Sequence, residues 1–253
     1  MGYLRFFWTA LYVVVAFLIS LPFLLLDYII GLFSMKARDR FTLGVVRVTF
    51  RILLVLAGVK LHISGYENIP KDKPVVYIGN HRSFFDVITT YALYPNMTAF
   101  VAKKSFKKIP FLSWWMMMLH NLFLDRGDIK QGMQTILTAI EYVKGGMSVV
   151  IFPEGTRNRT YEEDMLEFHE GSFKISDKSG APVIPMTLYN TSAIFEDHFP
   201  KIYSQHVFID FGKPIYPDEL DKADRKHFGA YTREIMLKTY GELREQYEKL
   251  NAK

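Results

Sequence analysis

Between Arg5 and Asp27 the chain carries no charged residue: Phe6–Leu26 reads FFWTALYVVVAFLISLPFLLL. As a helix this run would be about 31 Å long, enough to match the hydrocarbon core of a bilayer. A cleaved signal has a shorter apolar region followed by small residues. Here Asp27, a second apolar patch (Tyr28–Met35) and then Lys36, Arg38 and Arg40 follow instead. The segment is expected to stay as an anchor, and its basic flank puts the rest of the chain on the cytoplasmic side of a cell membrane. The next apolar stretch, Phe41–Leu61, contains Arg47 and Arg51. Seven- and four-residue steps return to one helical face, so Arg40, Arg47 and Arg51 form a stripe suited to a helix in the headgroup layer. A core helix with a solvated arginine face is the alternative.

Beyond the anchor the apolar residues thin out. Mean hydropathy over the whole chain is only +0.05, which excludes a polytopic membrane protein. A hydrophobic fraction of 49% excludes a disordered polymer, which lacks the apolar surface to collapse. Without cysteine there is no disulfide, thiolate nucleophile or zinc–thiolate site. A net charge of +5 suits an anionic partner, with nucleic acid, phospholipid and acidic protein all open on charge alone.

From residue 59 onward, β-rich runs alternate with helical patterns. Expected strands are Lys60–Ser64, Val75–Gly79, Thr98–Ala102, Leu122–Leu124, Ser148–Phe152, Val183–Leu188 and Val207–Phe211. Expected helices are Ser83–Tyr94, Ile129–Lys144, Ser172–Ser179 and Asp224–Leu250, the last with Phe228, Tyr231, Ile235, Leu243, Tyr247 and Leu250 on its apolar face. Several strands are continuously apolar, which implies burial on both faces. The expected fold is α/β: a mixed sheet flanked by helices and preceded by a two-helix membrane anchor, with residues 1–58 as the anchoring unit and 59–253 as a single domain.

Two motifs follow expected strands, where α/β sheets put their sites. In Asn80-His81-Arg82-Ser83-Phe84-Phe85-Asp86, Ser83 and Asp86 have the spacing of a capping box. The chain reversal there can bring His81 and Asp86 together, the carboxylate fixing the ring tautomer and leaving the other nitrogen as a general base. There is no G-x-S-x-G elbow, so direct attack by a substrate hydroxyl suits the pair. The second motif is Phe152-Pro153-Glu154-Gly155-Thr156-Arg157-Asn158-Arg159. Gly155 permits close backbone approach and Arg157 offers a fork for phosphate or carboxylate.

With both motifs in place, the chain resembles the lysophosphatidic-acid acyltransferases of the glycerolipid acyltransferase superfamily. NHRSFFD matches that family's N-H-x-x-x-x-D, and FPEGTRNR its F-P-E-G-T-R-x-R. LFLDR (Leu122–Arg126) matches a further block, with His120 where glycine is usual, and APVIPM matches another. VAKKSF carries Ser105 where glutamate is common. The resemblance implies transfer of an acyl group from a coenzyme A or acyl-carrier-protein thioester to the free hydroxyl of 1-acylglycerol 3-phosphate (lysophosphatidic acid). It implies His81 as base with Asp86 as its partner. It also implies Glu154, Gly155, Thr156 and Arg157 at the acceptor, with Lys104 and Arg126 near its phosphate. No metal and no cofactor beyond the thioester co-substrate are implied; the partners are the two substrates and the membrane phospholipid surface, not nucleic acid. Another lysophospholipid as acceptor, or a membrane-bound lipid hydrolase, is the alternative. Two further features have double readings. Lys103, Lys104, Lys107 and Lys108 suit a solvated loop or a membrane or carrier-protein contact, and Phe111–Leu119 suits a core helix or a surface for acyl chain or lipid.

Overall fold

The structure is a computed structural model that describes residues 1–125, 127–160 and 162–252. The chain begins with an antiparallel helical hairpin, α1 (Gly2–Phe33) and α2 (Met35–Ala57), turned at Ser34. The Ser34 hydroxyl caps α2 by accepting the Ala37 N–H at 3.2 Å. The Tyr12 hydroxyl donates to the Thr49 carbonyl at 3.0 Å, and Thr42 bonds Asp27 near the turn. α1 is long and apolar enough to cross a membrane, and Leu4, Phe7, Leu11, Leu18, Leu25 and Ile29 are among its exposed side chains. A surface of that kind suits membrane association.

α2 is not a free headgroup-layer helix. Leu43, Val46, Leu53, Leu54 and Ala57 are buried in the domain core. The expected arginine stripe divides accordingly. Arg47 donates to the Tyr94 carbonyl and Arg51 to the Ala92 carbonyl at 3.2 Å, while Arg40 stays exposed. Arg47, half-buried, and Arg51, exposed, both satisfy carbonyls just past α3 (Phe85–Tyr91), a helix that ends earlier than expected because Pro95 follows closely.

The seven strands among the described residues are β1 (Lys60–Ser64), β2 (Val76–Gly79), β3 (Thr98–Lys103), β4 (Leu122–Leu124), β5 (Ser148–Ile151), β6 (Val183–Tyr189) and β7 (His206–Phe211). They form one sheet in the order β1-β7-β6-β2-β5-β3-β4, parallel throughout except for the β6–β7 pair. Alternation along β2 divides the core between the two faces. Tyr77 packs with α2, α3 and α4 (Leu112–Met118), whereas Val76 and Ile78 pack with α5 (Ile129–Lys144), α6 (Lys174–Ser179) and α8 (Phe228–Asn251). Each large apolar side chain buried in these layers contributes roughly 1.5–3 kcal/mol.

The run Phe111–Leu119 becomes α4 and is divided between core and surface. Trp115 and Leu119 enter the core, Trp114 and Met117 are exposed, and Trp115 Nε1 donates to Ser20 Oγ of α1 at 3.0 Å. His120 then takes φ +58°, the left-handed region that favours glycine, which is the residue usual there in the family it resembles. The expected last helix is two, α7 (Lys222–Lys226) and α8, separated at His227. Glu170 starts α8 anew by accepting the Gly229 N–H at 3.0 Å and the Ala230 N–H at 3.3 Å. The buried face of α8 is Phe228, Thr232, Met236, Tyr240 and Leu243, one step round from the expected face, so Ile235 is only half-buried and Leu250 is exposed.

Candidate active site

β2, β5, β3 and β4 run parallel, so their carboxyl ends gather at one edge of the sheet. β2 stops at Gly79, and the Asn80 side chain extends its ladder onto β6. Its amide donates to the Leu188 carbonyl at 2.9 Å and its oxygen accepts the Leu188 N–H at 2.8 Å. His81 follows, and the second motif holds its backbone on both sides. The His81 N–H donates to Glu154 Oε1 at 2.7 Å, and its carbonyl accepts the Asn158 N–H at 2.7 Å. The imidazole stacks on Phe152, ring centroids 4.3 Å apart and 14° from parallel.

His81 Nδ1 lies 2.8 Å from Asp86 Oδ2. Asp86 is fully buried in the first turn of α3, where Oδ2 also accepts the N–H groups of Arg82 and Ser83, each at 2.8 Å. The Ser83 hydroxyl accepts the Phe85 N–H at 2.9 Å. The expected capping arrangement is therefore present, and the same carboxylate oxygen orients the imidazole. A carboxylate accepting at Nδ1 assigns the proton there and the lone pair to Nε2, a nitrogen able to take a hydroxyl proton.

The second motif is a tight turn in which the Gly155 N–H donates to the Phe152 carbonyl at 3.1 Å with φ +68°. A Cβ at Gly155 would sit 3.0 Å from His169 Nε2. The close approach expected here is made by a protein ring, and glycine is required for both reasons. Glu154, expected at the acceptor, has both oxygens engaged by the protein. Its carboxylate is buried, with Oε1 on the His81 N–H and Oε2 on the Leu166 N–H at 2.9 Å, so it binds the two loops together. Burial pushes this carboxyl up to about 7, against the lowering effect of the two amides.

Arg157 stacks its guanidinium 3.9 Å from the Phe84 ring centroid, with Nη1 3.4 Å from Glu196 Oε1. Thr156 beside it is exposed. The motifs thus bring His81, Asp86, Glu154, Gly155 and Arg157 together. Lys104 stands apart at the end of β3, separated from β2 by β5 and so about 10 Å across the sheet. It pairs with Asp125 at 3.0 Å and lines a cavity of about 420 Å³ with Lys103, Ser105 and Lys108. Arg126 lies outside the described residues. Glu196 was missed by sequence reasoning, since it belongs to no motif, and Asn80 and Phe152 were read only as motif letters.

Residues 60–189 match the acyltransferase family. The 1-acyl-sn-glycerol-3-phosphate acyltransferase of Borreliella burgdorferi is 34% identical over 199 residues, 79% of each chain. Its Saccharomyces cerevisiae counterpart is 30% identical over 198 residues, 78% of this chain, which spans 65% of the length of the yeast protein. The crystal structure of the 1-acyl-sn-glycerophosphate (LPA) acyltransferase PlsC from Thermotoga maritima superposes with a TM-score of 0.82 over 96% of both chains at 23% identity, and so shares the fold. Matched over half its length by the family and at 34% identity across most of a relative, the chain belongs to the acyltransferase family.

Proposed function

We propose that this chain is a membrane-bound O-acyltransferase that moves a fatty acyl group from a coenzyme A or acyl-carrier-protein thioester to the sn-2 hydroxyl of 1-acylglycerol 3-phosphate, forming phosphatidic acid. The observation that carries the reading is the His81–Asp86 pair at 2.8 Å, joined through the Glu154 and Asn158 contacts to the turn that bears Arg157. His81 Nε2 takes the hydroxyl proton as the oxygen attacks the thioester carbonyl. The tetrahedral oxyanion collapses to the ester, and the departing thiolate receives the proton from the imidazolium that Asp86 stabilises. Arg157 binds the acceptor phosphate through its fork, with Lys104 as a further cation at the same sheet edge, and the family resemblance adds Arg126. The relatives named as 1-acyl-sn-glycerol-3-phosphate acyltransferases support this acceptor.

Residues 1–58 serve as the anchoring unit of a domain spanning 59–253 on the cytoplasmic side of the cell membrane. α1 runs along the domain, with the Ile202 N–H on the Gly2 carbonyl at 3.2 Å and Ser20 on Trp115, so its outward apolar face suits burial in the adjacent leaflet. The test is purified full-length protein given labelled acyl thioesters and a panel of lysolipids. Phosphatidic acid should form from 1-acylglycerol 3-phosphate, and His81→Ala should lose at least about 10²-fold in turnover while melting at the wild-type temperature. Free fatty acid released without an acceptor would mark a hydrolase, and near wild-type turnover in His81→Ala would overturn the mechanism.

A further inference from the structure

Glu196 lies in a short 3₁₀ turn, Glu196–His198, in the connection between β6 and β7, outside every motif. Its carboxylate is nevertheless inside the site. Oε2 accepts the Ser83 hydroxyl at 2.7 Å and Oε1 accepts the Phe84 N–H at 2.7 Å, both from the first motif. Oε1 also holds Arg157 Nη1 of the second motif at 3.4 Å. The turn is seated firmly, because Phe195 stacks on Phe6 of α1 with centroids 5.9 Å apart. Three segments distant in sequence therefore meet on one carboxylate.

Resting on the acceptor reading above, we propose that Glu196 is a positioning residue that presets Arg157 for the acceptor phosphate. The guanidinium has one face on Phe84 and one nitrogen on Glu196. A guanidinium carries five N–H donors in a rigid plane, so fixing one nitrogen and the stacked face leaves an in-plane edge for a two-oxygen grip on phosphate. The ordering of a long side chain is then complete before the lipid arrives. The pair is long and engages only Nη1, so the phosphate need not displace the carboxylate to bind.

Steady-state kinetics of the full-length protein, with acceptor and thioester varied separately, tests this on wild type, Glu196→Ala, Glu196→Gln, Arg157→Ala and the Glu196→Ala/Arg157→Ala double variant. Glu196→Ala should raise the acceptor KM roughly tenfold, the loss of one charge-assisted contact. The thioester KM should stay within about twofold, and in the Arg157→Ala background removal of Glu196 should add less than about twofold to the acceptor KM. Glu196→Gln keeps partners for Ser83 and Phe84 but not the ion pair, so it should recover kcat and retain the raised acceptor KM. If Glu196→Ala fails to fold, Glu196→Gln alone carries the test through that split. Additive single effects, or equal losses for both substrates, would overturn the proposal. A wild type that forms no phosphatidic acid would instead defeat the acceptor reading. In that case the affinities of the same proteins for 1-oleoylglycerol 3-phosphate decide the role of Glu196: additivity refutes it and non-additivity supports it.

Discussion

Replacing Glu154 with Gln separates a carboxylate that clamps two loops from one that touches the acceptor. Burial raises this carboxyl from an ordinary 4.5 to about 7. At about 1.36 kcal/mol per pH unit, that difference is worth ~3 kcal/mol. The folded chain holds the proton more tightly than the unfolded one, so the stability from this group is greatest below pH 4.5 and is lost as pH rises through 7. Glutamine does not titrate. It brings a fixed cost instead, because its NH₂ must face the N–H of His81 or of Leu166, leaving a buried donor unpaired at about 1–3 kcal/mol. Melting of the full-length protein across pH 4–8 should therefore show wild type losing ground to Glu154→Gln by roughly 6–12 °C, at about 2–4 °C per kcal/mol for a chain of this size. Parallel melting curves against pH would refute the argument. Kinetics gives a second reading: displacement of His81 should lower kcat with the acceptor KM little changed, whereas a raised acceptor KM at wild-type kcat would return Glu154 to the acceptor.

Arg47→Ala should lower stability by about 1.5–3 kcal/mol through loss of its charged contact with the Tyr94 carbonyl, and the exposed Arg51→Ala by less than about 1 kcal/mol, both read from chemical unfolding. Binding of either variant to anionic vesicles should be unchanged, and a clear loss would restore the headgroup role for these arginines. In flotation assays the full-length protein should stay on neutral and anionic vesicles at high salt, because the apolar face of α1 is not screened by ions. Release by salt would show that the attachment is electrostatic.

Where local pattern and burial coincide, the chain could be read directly. All seven strands fall on the expected apolar runs, with Lys60–Ser64 and Leu122–Leu124 matching to the residue, and α5 matches at both ends because Asp128 caps it in sequence by accepting the Gln131 N–H. The helices that shifted have ends decided from far away. α8 starts where Glu170, distant in sequence, supplies a cap, and Arg47 and Arg51 of α2 reach carbonyls beyond α3 that lie beside them.

The residues of the two motifs, the spacing that lets a histidine meet an aspartate five residues on, and an apolar hairpin ahead of an α/β sheet are properties of the sequence alone: they depend on residue type and on spacing within a turn or a strand. Tertiary structure alone decided which carboxylate does what. Asp86 faces the imidazole because α3 begins beneath it, Glu154 is consumed by the amides of His81 and Leu166, and Glu196 reaches Ser83, Phe84 and Arg157 from the β6–β7 connection. A carboxylate looks the same in any sequence, and its role is set by the donors that folding brings within about 3 Å of it, which here come from segments that no local pattern connects.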